Sequence, residues 1–219
     1  MRATLLDFNG VLVDDEHVHL EAFREVLAPR GIVVTDAEYA DKYLGFDDVG
    51  AFRAMLRDAG HDVTDEVVAE LVVAKTPAYF RRIETALRIF PGAAELVRRR
   101  AVAGPVGIVS GALRAEIEHA LAKMGVAEHV AFIVSAEDTR ACKPDPEGFV
   151  AGVARLPAGA RIAVVEDSVA GVQAAKAAGL RCVAVTHSYP REVLVRAGAD
   201  LVVDALTELD EVALDGMGP

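Results

Sequence analysis

From Pro91 onward the chain alternates short, unbroken apolar runs with stretches of helical spacing, and this alternation limits the fold more than any other feature. Val106-Gly107-Ile108-Val109-Ser110, Ala131 to Ser135, Arg161 to Glu166, Cys182 to Thr186 and Leu201-Val202-Val203 are too short for helices. Helical patterns precede or separate them, from Pro91-Gly92 to about Ala103 and over 113–124, 146–155, 169–178 and 190–197. Apolar strands without in–out alternation are buried on both faces, which is the condition of a parallel sheet covered by helices. The run Leu5-Leu6-Asp7, broken at Asn9-Gly10, supplies one further strand at the start.

Between about 16 and 87 no strand pattern occurs. Glu16 to Ala28 reads as a helix stopped by Pro29-Arg30-Gly31, and Thr35-Asp36-Ala37-Glu38 is a capping box for a second helix through Leu44. Asp47 caps a third through Ala59-Gly60, and Thr64 opens a fourth that reaches Leu87 around Pro77. The expectation is an α/β fold: a parallel-sheet core of residues 1–15 and 88–219 with helices on both faces, and an α-helical cap inserted at 16–87. The tail after about Asp210 is expected to be loose, and Arg98-Arg99-Arg100 to be a solvated helix end.

The net charge of −11 argues against nucleic acid or an anionic membrane as partner, because both would be repelled at long range. An anionic small substrate must then be held by local positive charge. Two cysteines, Cys142 and Cys182, are too few for a disulfide framework and do not sit in a metal-like cluster. Met1-Arg2 runs straight into the first strand with no leader pattern, and no apolar run approaches a membrane span. The expectation is a soluble cytoplasmic protein, a monomer or weak homodimer.

Ligands of open α/β sheets bind beyond the carboxyl ends of the strands. Here those ends carry Asp7, then Ser110-Gly111, then Lys143-Pro144 in the loop after the third strand, then Glu166-Asp167-Ser168. Three carboxylates, a lysine and a hydroxyl on one edge suit a divalent cation and a phosphate. Magnesium takes oxygen ligands and keeps several waters, so Asp7 and Asp167 with a backbone carbonyl and a phosphate oxygen would hold it, with Glu166 bound directly or one layer out. Ser110 and Lys143 would hold phosphoryl oxygens, Gly10 and Gly111 would let the backbone approach them, and Asp7 would be the nucleophile.

Asp7-Phe8-Asn9-Gly10-Val11, Ile108-Val109-Ser110-Gly111, Lys143-Pro144-Asp145-Pro146 and Val164-Val165-Glu166-Asp167-Ser168 resemble, in order and spacing, the four motifs of the haloacid dehalogenase superfamily. More narrowly they resemble its β-phosphoglucomutase-like and phosphoglycolate-phosphatase-like branch, which places a helical cap after the first motif. The resemblance implies a Rossmannoid core, Mg2+, and hydrolysis or transfer of the phosphoryl group of a small phosphorylated metabolite through a phospho-aspartate. It maps the nucleophile to Asp7, the phosphate-binding positions to Phe8, Gly10, Ser110, Gly111 and Lys143, and the metal acids to Glu166 and Asp167.

One position departs from the family pattern. Where the family has a second Asp that protonates the leaving oxygen and activates water, this chain has Asn9. An amide performs neither transfer, and such catalysis contributes about 10²–10⁴-fold; the Asn9 backbone carbonyl can still ligate the metal, so the expected defect is in turnover. Three accounts are open: a slow phosphatase suited to good leaving groups; a group recruited from Asp14, Asp15, Glu16, His17 or His19; or a protein that binds a phosphorylated ligand or keeps a long-lived phospho-aspartate. A phosphosugar mutase depends still more on the missing acid. A dehalogenase would have no use for Glu166-Asp167, and receiver-type phospho-acceptor domains are shorter and lack the insertion. The cap loop Lys42 to Asp48 is read as a substrate-selecting loop, and Lys75 and Tyr79, on one helix face, as facing either substrate or solvent.

Overall fold

The computed structural model of the chain describes residues 1–216. In order, the elements are β1 (Arg2–Leu6), β2 (Val13–Asp14), α1 (Glu16–Leu27), α2 (Asp36–Glu38), α3 (Asp48–Asp58), α4 (Asp65–Ala86), β3 (Arg88–Ile89), α5 (Ala93–Ala103), β4 (Val106–Val109), α6 (Arg114–Met124), β5 (Phe132–Val134), α7 (Glu147–Ala154), β6 (Arg161–Glu166), α8 (Val169–Ala177), β7 (Arg181–Val185), α9 (Arg191–Ala197), β8 (Leu201–Val203) and α10 (Glu211–Asp215). They form two compact units, one of Met1–Asp14 with the chain from Ile89 onward, the other of Asp15–Arg88.

The first unit is a six-stranded parallel sheet in the order β5-β4-β1-β6-β7-β8. Its registers pair Leu5 with Gly107 on one side and with Val164 on the other, so β1 lies at the centre with β4 and β6 as neighbours. The strand order reverses there, and the carboxyl ends of β1, β4 and β6 come together at that switch point. Leu5, Val109, Val164, Val172, Ala175, Cys182, Ala184 and Phe149 belong to one aliphatic core layer. With no Trp in the chain, small residues on the helices allow them to lie close to the sheet; a Cβ on Gly152 of α7 would sit 3.1 Å from Val109 and 3.3 Å from Leu5.

The second unit packs α1, α3 and α4 around Leu20, Phe23, Leu27, Phe52, Met55, Leu56, Val68 and Leu71. The expected capping box and the expected cap are both formed: Thr35 Oγ1 accepts from the Glu38 amide while Glu38 accepts from the Thr35 amide, and Asp47 Oδ1 accepts from the Gly50 amide. The second helix does not run through Leu44 as an α-helix; after α2 it widens into a π-turn over Tyr39–Tyr43. In that turn the Tyr39 hydroxyl reaches Glu16 at 2.6 Å and the Tyr43 hydroxyl reaches Asp58 at 2.9 Å.

Two expectations fail at the C-terminal end. Arg100 is not solvated but 1% exposed, and the chain after Asp210 is not loose but forms α10, capped by Asp210. The two facts have one cause. A buried guanidinium needs partners, and Arg100 donates to Thr4 Oγ1 at 2.7 Å, to Asp215 at 3.0 Å and to Glu211. Arg2 adds a contact to Asp215 at 2.9 Å. Arg100 therefore ties the last helix to β1, while Arg98 and Arg99 are exposed; residues 217–219 lie outside the described part.

Candidate active site

Asp7 follows β1 and is anchored by its amide, which donates to the Val165 carbonyl of β6 at 3.0 Å. The chain then closes a tight loop: the amides of Val11, Leu12 and Val13 all point to the Phe8 carbonyl, and the Gly10 amide donates to the Val13 carbonyl at 2.8 Å. Phe8 itself is buried in the core, so only its backbone faces the site. Gly10 has φ +75°, and a Cβ there would fall 2.0 Å from Asp167 Oδ2. Both the backbone conformation and the close approach demand glycine.

The strand-end acids meet. Ligand oxygens of Asp7, Glu166 and Asp167, all buried, lie within 4.8 Å of one another. Lys143, from the loop before α7, places Nζ 2.7 Å from Asp7 Oδ1, 2.6 Å from Glu166 Oε1 and 3.1 Å from the Val109 carbonyl. Ser110 is buried beside them; its Oγ accepts from the Ala112 amide at 3.2 Å and lies 3.4 Å from Asn9 Oδ1. Gly111 is exposed at the end of β4.

Electrostatics follow from burying three carboxylates against one ammonium. Burial, then the Glu166 charge, raises Asp7 from 3.8 to about 6, against the opposing pull of Lys143. Asp167 is raised well above its ordinary value by burial and by the charges of Glu166 and Asp7. Burial alone would lower Lys143, but Asp7 and Glu166 outweigh it and the ammonium is held more firmly than usual. The cluster is thus short of positive charge by more than one lysine supplies.

Glu166 plays a different part from the other two acids. Its Oε2 accepts from the Asp167 amide at 3.0 Å, the Ser168 amide at 3.2 Å and the Ser168 hydroxyl at 3.1 Å, and its Oε1 accepts from Lys143. Both oxygens are engaged by this chain's own groups. Gly171 leaves room for the carboxylate, since a Cβ there would lie 1.9 Å from it.

In the helical unit, Lys75 is shut off from solvent: it is 0% exposed, donates to His19 Nδ1 at 2.7 Å and pairs with Asp48. Since an ammonium only donates, His19 Nδ1 accepts and its proton sits on Nε2, 3.3 Å from Asp15. Tyr79 donates to Asp15 at 2.5 Å. Both ring nitrogens of His19 are therefore occupied within this unit, which weighs against its serving as the recruited proton carrier. His17 and Glu16 are half-buried, with Glu16 raised by burial. In the loop Lys42 to Asp48, Lys42 lies 3.8 Å from Asp58 and Phe46 is exposed.

Three residues missed in the sequence also contribute to the first unit. The Ser188 hydroxyl donates to Asp167 Oδ2, His187 Nδ1 lies 2.7 Å from the Gly10 carbonyl, and Phe90 stacks on the His187 ring at 3.8 Å. His187 and Ser188 follow β7, so the same strand-end rule, carried one strand further, points to them.

A parallel sheet with a buried aspartate at its switch point and a lysine between two acids is the arrangement of a family of hydrolases. The model of haloacid dehalogenase-like hydrolases matches residues 1–179, and the chain belongs to that family, in its β-phosphoglucomutase-like and phosphoglycolate-phosphatase-like branch. It is 31% identical, over 95% of both chains, to the validoxylamine A 7'-phosphate phosphatase of Streptomyces hygroscopicus subsp. limoneus. Among solved structures it resembles CbbY from Rhodobacter sphaeroides in complex with phosphate, with TM-score 0.87 and 26% identity over 99% of this chain and 100% of that one. A mutant of that CbbY with Asp replaced by Asn, in complex with xylulose 1,5-bisphosphate, matches with TM-score 0.86 at the same identity and coverage. No helix of the described residues is long and apolar enough to cross a membrane.

Proposed function

We propose that this protein is a magnesium-dependent phosphatase of a small phosphorylated metabolite, working through a phospho-aspartate on Asp7 and slowed by Asn9. The observation that carries the reading is the meeting of Asp7, Glu166 and Asp167 around Lys143 at the switch point. The relatives point the same way, since those named for an activity act on phosphate monoesters.

The donor chemistry fits a magnesium ion. The buried oxygens are hard ligands, and carboxyls raised by one another's charge are the groups that a divalent cation stabilises. Asp7, Asp167 and the Asn9 carbonyl would hold it, with Glu166 orienting Lys143 and the Asp167 backbone from behind. When bound, the ion offsets negative charge between the nucleophile and the phosphate dianion.

Asp7 attacks phosphorus, the P–O ester bond breaks, and the leaving oxygen departs with the electron pair. Lys143 and Ser110 balance charge on the phosphoryl oxygens as it shifts. Hydrolysis of phospho-Asp7 by water then regenerates the carboxylate and releases phosphate. The leaving oxygen in the first step and the water in the second each need proton transfer, and the Asn9 amide supplies neither. Asn9 also motivates a second reading, in which the site binds a phosphorylated ligand or stays phosphorylated without efficient turnover; the bisphosphate complex of the Asp-to-Asn CbbY mutant is compatible with it.

Wild type and Asp7→Asn on a panel of phosphate esters with magnesium test the assignment. Phosphate release by wild type and its loss in Asp7→Asn is expected; equal release from both overturns the nucleophile. A burst of product equal to the enzyme present, with a phosphoprotein that base and hydroxylamine cleave, supports the stalled intermediate. Ligand binding with no phosphoenzyme and no release favours the binding reading.

A further inference from the structure

His187 and Ser188 stand next to each other after β7, yet they hold two different segments of the site. Ser188 donates to the Asp167 carboxylate, and His187 Nδ1 contacts the Gly10 carbonyl at 2.7 Å. A carbonyl only accepts, so Nδ1 carries the proton and donates. The ring is held flat against Phe90, at 3.8 Å between centroids and 12° between planes. Phe90 is itself tied to the nucleophile loop, its amide donating to the Leu12 carbonyl at 3.1 Å.

The consequence for the loop is geometric. Gly10 is fixed at both ends: its amide by Val13 at 2.8 Å and its carbonyl by His187. The Asn9 carbonyl belongs to the same planar trans peptide as the Gly10 amide, so fixing one direction fixes the other. The Gly10 α-carbon is at the same time pressed against Asp167. Val13 thus sets the peptide that carries the Asn9 carbonyl, and His187 pins the next peptide, Gly10–Val11, so its hold on position 9 passes through the Gly10 α-carbon, while Ser188 holds the Asp167 carboxylate.

We propose that His187, together with Ser188, is a positioning pair that orients the Asn9 main-chain carbonyl and the Asp167 carboxylate for a divalent cation. This rests on the cation reading of the acidic cluster. In this chain the backbone carbonyl is the contribution that position 9 keeps when its side chain is an amide, so its orientation carries more of the site than a carboxylate there would require.

Mn2+ binding to the purified protein, followed by electron paramagnetic resonance and calorimetry without substrate, tests it. Partners behind a ligand typically change metal affinity about 10–100-fold. His187→Ala is expected to weaken Mn2+ at least about tenfold, and His187→Asn, whose amide N–H replaces the Nδ1 donor, to stay within about threefold of wild type. Ser188→Ala should weaken it in the same direction. Equal affinity in His187→Ala and wild type overturns the proposal, and so does equal loss in the Ala and Asn variants, which would assign the effect to ring packing. If His187→Ala does not fold, His187→Gln replaces it: its longer reach should weaken Mn2+ where Asn does not, and equal affinities of the two refute the donor role. Asp167→Ala separates the layers. If it binds Mn2+ like wild type, the cation reading falls and this inference with it; if it alone loses Mn2+, only the positioning role is overturned.

Discussion

Restoring a carboxylate at position 9 is the most direct perturbation of this site. Asn9 is half-buried, its Oδ1 lies 3.4 Å from Ser110 Oγ, and the loop around it is fixed by backbone bonds from Val11, Leu12 and Val13 to Phe8 and from Gly10 to Val13. Asn9→Asp therefore changes an NH2 to an oxygen without moving the backbone. A positioned general acid–base gives about 10²–10⁴-fold, which is about 3–5.5 kcal/mol of barrier at 1.36 kcal/mol per tenfold. The gain should depend on the ester. For an alkyl phosphate, whose alkoxide must be protonated as it leaves, kcat/KM should rise by about 10²–10⁴. For p-nitrophenyl phosphate, whose leaving group needs no proton, kcat/KM should change less than about tenfold while kcat rises, because hydrolysis of phospho-Asp7 still needs a base. Steady-state and rapid-quench kinetics on both esters measure this. A gain equal for the two in kcat/KM, or none for either, refutes the account of Asn9 as the missing proton carrier.

Three further outcomes follow from the geometry. Gly171→Ala adds a helix-favouring residue worth about 1 kcal/mol, but its Cβ would meet the Glu166 carboxylate at 1.9 Å; a net loss of about 1–3 kcal/mol in urea unfolding is expected, with reduced phosphate release, and a gain in stability would contradict the described packing. Replacing Glu211 and Asp215 together by alanine removes both carboxylates from Arg100, which is 1% exposed; leaving that charge unpaired should cost about 3–5 kcal/mol, and unchanged stability would mean that the two pairs contribute nothing. Asp7, raised from 3.8 to about 6, binds its proton more tightly folded than unfolded. Its contribution to stability is therefore complete below about pH 4 and declines as pH rises to about 6, by on the order of 3 kcal/mol without a cation. Added Mg2+ should raise the melting temperature more at pH 7 than at pH 5, and an equal rise at both would refute the competition between proton and cation.

How far the sequence discloses this molecule depends on what each residue answers to. The parallel sheet was legible because strands buried on both faces can only be apolar throughout, and Leu5, Ile108 and Val164 record that directly. Asp7, Lys143, Glu166 and Asp167 were legible because polar groups at strand ends in such a sheet have a common destination. Arg100 was misread because its partners, Thr4, Glu211 and Asp215, stand 96 to 115 residues away, and a charge in a run of arginines looks solvated until those partners are placed. The burial of Lys75 was not legible for the same reason: spacing gives its helix face, while its burial is decided by His19 and Asp48 on other helices.

His187 marks the limit of this kind of reading. Its place just after β7 gives it an address, but its role comes from one backbone carbonyl 177 positions away and one aromatic ring. Yet such a contact bears most on a site whose position 9 has lost its carboxylate. With an acid there, side chain and backbone both serve the chemistry; with Asn9, the backbone alone remains for a cation. The described loop is correspondingly overdetermined, with Gly10 held by Val13, by His187 and by contact with Asp167. In the proposed phosphatase, phosphate capture and the first transfer to Asp7 would draw on this rigid part, whereas proton transfer would draw on the part that Asn9 lacks. The division predicts a protein better at forming a phospho-aspartate from an activated ester than at clearing it, and places the rate limit in the second half of the cycle.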